Sequence, residues 1–106
     1  MLNVDILVVR GITFIRLEGC LTKKTFNDFN LELDNLLYNF GMHFYVFNFS
    51  DVFSMDRDIL EKLENKLYEI FLSCGDVALC GIKKAFKDQR LIYINSEEEV
   101  FSYLHV

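Results

Sequence analysis

Between Phe49 and Leu60 the chain reads Phe-Ser-Asp-Val-Phe-Ser-Met-Asp-Arg-Asp-Ile-Leu, an apolar strand pattern that passes through a short polar turn directly into a helix start. Strands that alternate with helices in this way after an initial hairpin imply an α/β arrangement with parallel crossovers. Such a junction also points backbone N–H groups outward from the helix N-terminus, which suits anions or the polar groups of a partner. Here Asp56 and Asp58 already place negative charge there.

The elements on either side fit that frame. Val4 to Val9 and Ile12 to Leu17 are β-branched and apolar around an Arg10-Gly11 turn signal, which predicts an antiparallel hairpin, and Gly19 is expected to break the second strand. From Thr25 the apolar residues Phe26, Phe29, Leu33, Leu36, Leu37 and Phe40 follow one face of a helix that Gly41 ends. Phe44 to Phe49 reads as a covered central strand in which Asn48 needs hydrogen-bond partners. Leu60, Leu63, Leu67, Ile70 and Phe71 mark a second amphipathic helix, with Glu61, Lys62, Glu64, Lys66 and Glu69 on its other faces and Gly75 after its end. Asp58-Ile59-Leu60-Glu61 has the form of a capping box with Asp as the cap.

Val77 to Cys80 is a short apolar strand, Ile82 to Lys87 a brief helix, Leu91 to Ile94 a last strand, and Ser96 opens a terminal helix carrying Val100, Phe101 and Leu104. The acidic run Glu97-Glu98-Glu99 complements the dipole of that helix. The expected fold is α/β: an N-terminal antiparallel hairpin, then parallel crossovers in a mixed sheet, packed with about four helices.

Composition narrows the function. One domain over residues 1–106 is expected, because the sequence has no proline, no linker and no internal repeat. Apolar runs fall well short of the ~18 residues that span a bilayer, and the start lacks a signal-peptide pattern, so neither membrane insertion nor export is expected. A net charge of −5 argues against nucleic-acid binding by general electrostatics. Lys83, Lys84, Lys87 and Arg90 form a local basic stretch, read as a solvated helix face or as a docking patch for an acidic partner. Cys20, Cys74 and Cys80 lack metal-type spacing and fit reduced thiols in a cytoplasmic protein.

No constellation points to catalysis. Asp51, Asp56 and Asp58 lack an obvious fourth ligand for a hard cation, His43 and His105 sit in no ligand-spaced motif, and the five glycines are dispersed singly. The cysteines have no histidine beside them in sequence. Neither an enzyme nor a cofactor or metal is expected. Phe53 and Met55 stand apart from the other apolar residues, because in a turn past a strand they are placed to touch a partner.

Taken in order, these elements resemble the STAS domain, the fold of bacterial anti-sigma factor antagonists. Ile15-Arg16-Leu17-Glu18-Gly19-Cys20-Leu21-Thr22 is similar to the family's Leu-x-Gly-x-Leu segment, with Thr22 where an Asp is common. Phe47-Asn48-Phe49-Ser50-Asp51-Val52 is similar to the apolar strand that ends in Leu-Ser-x-Val, and Asn95 to Val100 resembles the start of the last helix. The order and spacing of these segments span nearly the whole chain.

The departure falls at the functional centre. Phospho-switching members carry Asp-Ser-Ser-Gly-Leu where this chain has Asp56, Arg57, Asp58, Ile59 and Leu60, so the acceptor serine is replaced by Asp58. The segment from Gly81 to Arg90 is also shortened relative to the family's third helix. Asp58 then reads either as a fixed mimic of phosphoserine, with about one charge against roughly two, or as a helix cap, and Ser54 is the nearest upstream hydroxyl.

The resemblance implies a non-enzymatic interaction domain in transcription regulation. It would dock a protein through Val52, Phe53, Ser54, Met55, Asp56, Arg57 and Asp58 without serine phosphorylation. The implied partner is an ATP-binding anti-sigma factor kinase or another STAS protein. The competing expectation is a constitutive scaffold or transporter-associated subunit, including a homodimer that buries Phe53 and Met55.

Overall fold

The structure is a computed structural model that describes residues 1–40, 44–73, 75–82, 86 and 90–104. Five strands form one sheet in the order of the chain: β1 (Leu2–Val9), β2 (Ile12–Leu21), β3 (Phe44–Met55), β4 (Val77–Cys80) and β5 (Ile92–Tyr93). β1 and β2 are antiparallel, and β2 to β5 run parallel. Helix α1 (Lys23–Phe40) crosses from β2 to β3, and α2 (Arg57–Ser73) from β3 to β4. A 3-10 turn at Glu97–Glu99 leads into α3 (Val100–Leu104). This is the expected mixed sheet with an antiparallel opening hairpin.

Local chemistry accounts for the joints. Arg10 and Gly11 both take positive φ, 54° and 79°, the two-residue turn whose twist suits a tight hairpin. At the start of α1, Thr22 and Thr25 cap reciprocally: the Thr22 N–H donates to Thr25 Oγ1 at 2.8 Å, and the Thr25 N–H donates to Thr22 Oγ1 at 3.3 Å. Past the end of α2, Gly75 has φ 138° and its N–H donates to the Ile70 carbonyl at 3.3 Å.

Each face of the sheet carries an apolar cluster. Ile15, Leu17, Tyr45, Phe47, Phe49 and Leu79 pack against Phe26, Phe29 and Leu33 of α1 and against Ile59, Leu63, Leu67 and Ile70 of α2. On the opposite face Ile12, Phe14, Val46, Ala78 and Cys80 pack with Val100 and the half-buried Phe101 of α3. Alternating residues of β2 and of the first half of β3 therefore serve two cores, which is why Phe44 to Phe47 reads as an unbroken apolar run.

Four expectations change. Gly19 does not end its strand; β2 continues to Leu21, with a register step between Gly19 and Cys20. A Cβ at Gly19 would lie 2.1 Å from the Met1 carbonyl oxygen, which accepts from the Cys20 N–H at 3.0 Å, so the glycine admits a close backbone approach. The third strand does not stop at Phe49 but runs to Met55, and the polar residues read as a turn lie on it. Lys66, placed on the polar side of the second helix, is 6% exposed and forms an ion pair with Asp34 of α1. The stem is buried while the charged end reaches the half-exposed carboxylate of Asp34. Among the described residues there are three α-helices and the 3-10 turn rather than about four helices. The helix expected over Ile82 to Lys87 lies largely outside the described residues, as does Gly41.

Candidate functional site

The two halves of β3 are built differently. From Phe44 to Asn48 each residue faces one residue of β2, from Ile12 to Arg16. Beyond that, Glu18 faces Asp51, Gly19 faces Val52 and Cys20 faces Ser54, so β3 twice uses one residue more than β2. Such bulges re-aim side chains next to a strand. Phe53 is the additional residue of the second bulge, and it is 80% exposed. Val52 and Met55 on either side stay half-buried against the main core.

Phe53 flanks an open groove of 280 Å³ lined by Phe49, Val52, Phe53, Ser54, Met55, Leu60, Gly81 and Ile82. Gly81 makes this geometry accessible. Its φ is +73°, and a Cβ there would lie 2.3 Å from the Ser50 backbone nitrogen, so the end of β4 approaches β3 only without a side chain. The sequence-predicted residues Val52, Phe53, Ser54 and Met55 thus meet in one place, joined by Leu60 from α2. Gly81 and Ile82 were not among them; a lone glycine directly after a four-residue apolar strand is the signal that marks such an approach.

Asp56, Arg57 and Asp58 are exposed beside this groove. The Asp56 N–H donates to the Leu21 carbonyl at 3.0 Å and its own carbonyl accepts from Ile59, which fixes the helix start to the end of β2. Because α2 begins at Arg57, Asp58 sits inside the first turn and not at the cap, so the expected capping box is displaced. Its carboxylate lies where the helix dipole favours negative charge, an effect of about 0.3–1 kcal/mol. Asp51 leaves this cluster altogether: it faces Glu18 across the sheet and borders a separate depression with Asn3, Asp5 and Arg16. Among the described residues no three His, Cys, Asp or Glu side chains are arranged to hold a metal ion.

A polar row on the opposite face was not legible as a site. Asp5, Arg16, Asn48 and Cys80 occupy matching positions on four successive strands. Glu97 lies over them. Arg16 Nη2 donates to Glu97 Oε1 at 2.7 Å, Arg16 Nε to Oε2 at 2.9 Å and Asn48 Nδ2 to Oε2 at 2.9 Å. Asn48 Oδ1 in turn accepts from the Ser50 N–H at 2.9 Å, which supplies the partners its covered strand requires. The Arg16 hydrogen bonds hold the Glu97 carboxyl below its ordinary range, and the same contact raises the Arg16 guanidinium. Burial, aided by the Glu97 charge, pushes the Cys80 thiol up to about 11, so it stays protonated at neutral pH.

Of the basic stretch, Lys83, Lys84 and Lys87 lie outside the described residues. Arg90 is exposed, with its guanidinium 3.9 Å from the Tyr68 ring centre, stacked on α2. His43, Cys74 and His105 also lie outside the described residues. Cys20 and Cys80 are free thiols. No described helix is long and apolar enough to cross a membrane.

No protein-family model matches the sequence, and no curated protein matches it either. Solved structures do. The unphosphorylated anti-sigma factor antagonist SpoIIAA is 17% identical, with a TM-score of 0.68 over 99% of this chain and 98% of that one. The phosphorylated form of SpoIIAA, the Bacillus cell fate determinant, is 15% identical, with a TM-score of 0.69 over 98% of this chain and 99% of that one. An uncharacterised protein of SpoIIAA-like fold from Shewanella loihica PV-4 is 9% identical, with a TM-score of 0.68 over 97% and 93% of the two chains. The chain therefore has the STAS-type fold seen in SpoIIAA, end to end.

Proposed function

We propose that this protein is a non-enzymatic, cytoplasmic regulatory domain of the anti-sigma factor antagonist type that docks a protein partner through the bulged end of β3 and the start of α2. The observation that carries the reading is Phe53, a large apolar side chain placed in solvent by a bulge at the rim of an apolar groove, beside Asp56, Arg57 and Asp58. Aromatic side chains are enriched at the cores of protein interfaces, and one left in solvent beside an apolar groove is placed to serve as such an anchor. The partner is an ATP-binding anti-sigma factor or a second STAS protein. With Asp58 at the acceptor position, the interface works without serine phosphorylation.

Calorimetric titration with the ATP-binding anti-sigma factor of the same genome tests this. Wild type binds, Phe53→Ser loses at least tenfold in affinity, and Asp58→Ser binds like wild type until the kinase and ATP phosphorylate the new serine. Absence of binding by wild type both to this factor and to the STAS proteins of the same genome, or equal binding by Phe53→Ser, removes the reading. A tenfold change on Asp58→Asn would identify Asp58 as a phosphoserine mimic.

A further inference from the structure

β1 is the outer strand of the sheet, and Leu2–Val9 carries one charge, Asp5, with no proline, lysine or bulge. These are the devices that normally protect an edge from pairing with another chain. Instead Ile6, Leu7 and Val8 are 37%, 44% and 42% exposed. Val9 faces Ile12 across the two-residue turn, so this closing pair is hydrogen-bonded, and the alternation of an antiparallel ladder turns the N–H and C=O of Leu2, Val4, Ile6 and Val8 outward. The edge thus offers four donors and four acceptors, all on apolar residues.

We infer that this edge pairs antiparallel with β1 of a second copy of the chain, about a two-fold axis that sets Ile6 opposite Ile6. Charge and shape select this occupant and this register. Pairing outward-facing residues allows a two-fold centred on Ile6, which sets Val4 opposite Val8, or one shifted to centre on Asp5, Leu7 or Val4. Centring on Asp5 stacks the two carboxylates, centring on Leu7 pairs only Ile6 with Val8 among the outward residues of β1, and centring on Val4 leaves the exposed Leu7 and Val8 with no β1 residue opposite. The first register instead sets each Asp5 opposite Leu7 and covers Ile6, Leu7 and Val8 together. In the first register Val8 of the second copy lies beside Val4 on the α1 side of the sheet. A 390 Å³ cleft opens there between β1 and α1, with Leu2, Val4 and Phe29 among its lining. The two-fold fills both clefts alike and joins two five-stranded sheets into one of ten. None of the Phe53 groove is used, so the inference stands apart from the docking proposal.

Sedimentation equilibrium with amide hydrogen exchange tests it. The mass should rise with concentration from one 12.5 kDa chain to two, and the amides of Val4, Ile6 and Val8 should slow in step. Those of Asp5 and Leu7, already bonded to β2, should not change. Val8→Pro removes one outward N–H without touching the β2 ladder, and should weaken association at least tenfold. Ile6→Lys gives a second, independent break should the proline variant not fold. A monomer at every concentration, a dimer in which Val4, Ile6 and Val8 exchange at the monomer rate, or an extended peptide binding the edge without self-association would overturn the inference.

Discussion

The first half of β3 and its second half belong to one strand, yet they do opposite work. Phe44 to Asn48 run in register with β2 and β4, covered on one face by α1 and α2 and on the other by α3. Their polar member, Asn48, is satisfied within the fold by Glu97 and Ser50. Phe49 to Met55 gain two residues on β2 and extend beyond the pairing with β4. There the apolar side chain of Phe53 is left in solvent. Pairing in register produces a core, and bulging the same strand leaves a large apolar side chain on the surface.

The sharpest way to break that contrast is to truncate one phenylalanine from each half. Phe47→Ala, at a fully buried position facing Ile15 and Leu79, should cost about 3–5 kcal/mol in urea unfolding. Gly81→Ala comes next, since its methyl group would press on the Ser50 backbone where the halves meet. A loss of roughly 1–3 kcal/mol is expected, read from the same denaturation midpoint.

Glu97→Gln probes the satisfied half through pH. The folded Glu97 carboxyl lies below its ordinary 4.5, so its contribution is present above that value and is lost as the pH falls through the lowered folded value. The variant should lose about 1 kcal/mol at neutral pH, because the paired Arg16 is half-exposed, and should show a flatter acid limb below about pH 4.5. The smallest effect belongs to Phe53→Ser, whose stability should match wild type within about 0.5 kcal/mol while partner binding falls.

The halves also differed in how far they could be read from sequence. Strands and helices followed from periodicity, because α1, α2 and the sheet each bury a regular pattern of apolar residues. Asn48 announced its need for partners, but Arg16 and Glu97 are 81 residues apart, and no local pattern states that they meet. The bulges were missed because Ser50, Asp51 and Ser54 have turn composition, and only the pairing with β2 shows that the strand continues through them. Lys66 was misplaced for a related reason: helical spacing gave its face, while its burial depends on Asp34 in another helix. Val52 to Asp58, the residues of the proposed docking surface, were singled out from the junction itself, and the structure brings Val52 to Met55 to one groove. Gly81 and Ile82 were not, since they arrive from β4.

The central proposal, that the bulged half of β3 and the start of α2 form a docking surface, is tested most directly by hydrogen-exchange footprinting with the proposed partner, an ATP-binding anti-sigma factor. Protection confined to residues 49–60 and 81–82 is the predicted result. Protection over α3 and Glu97 with residues 49–60 unchanged would contradict it.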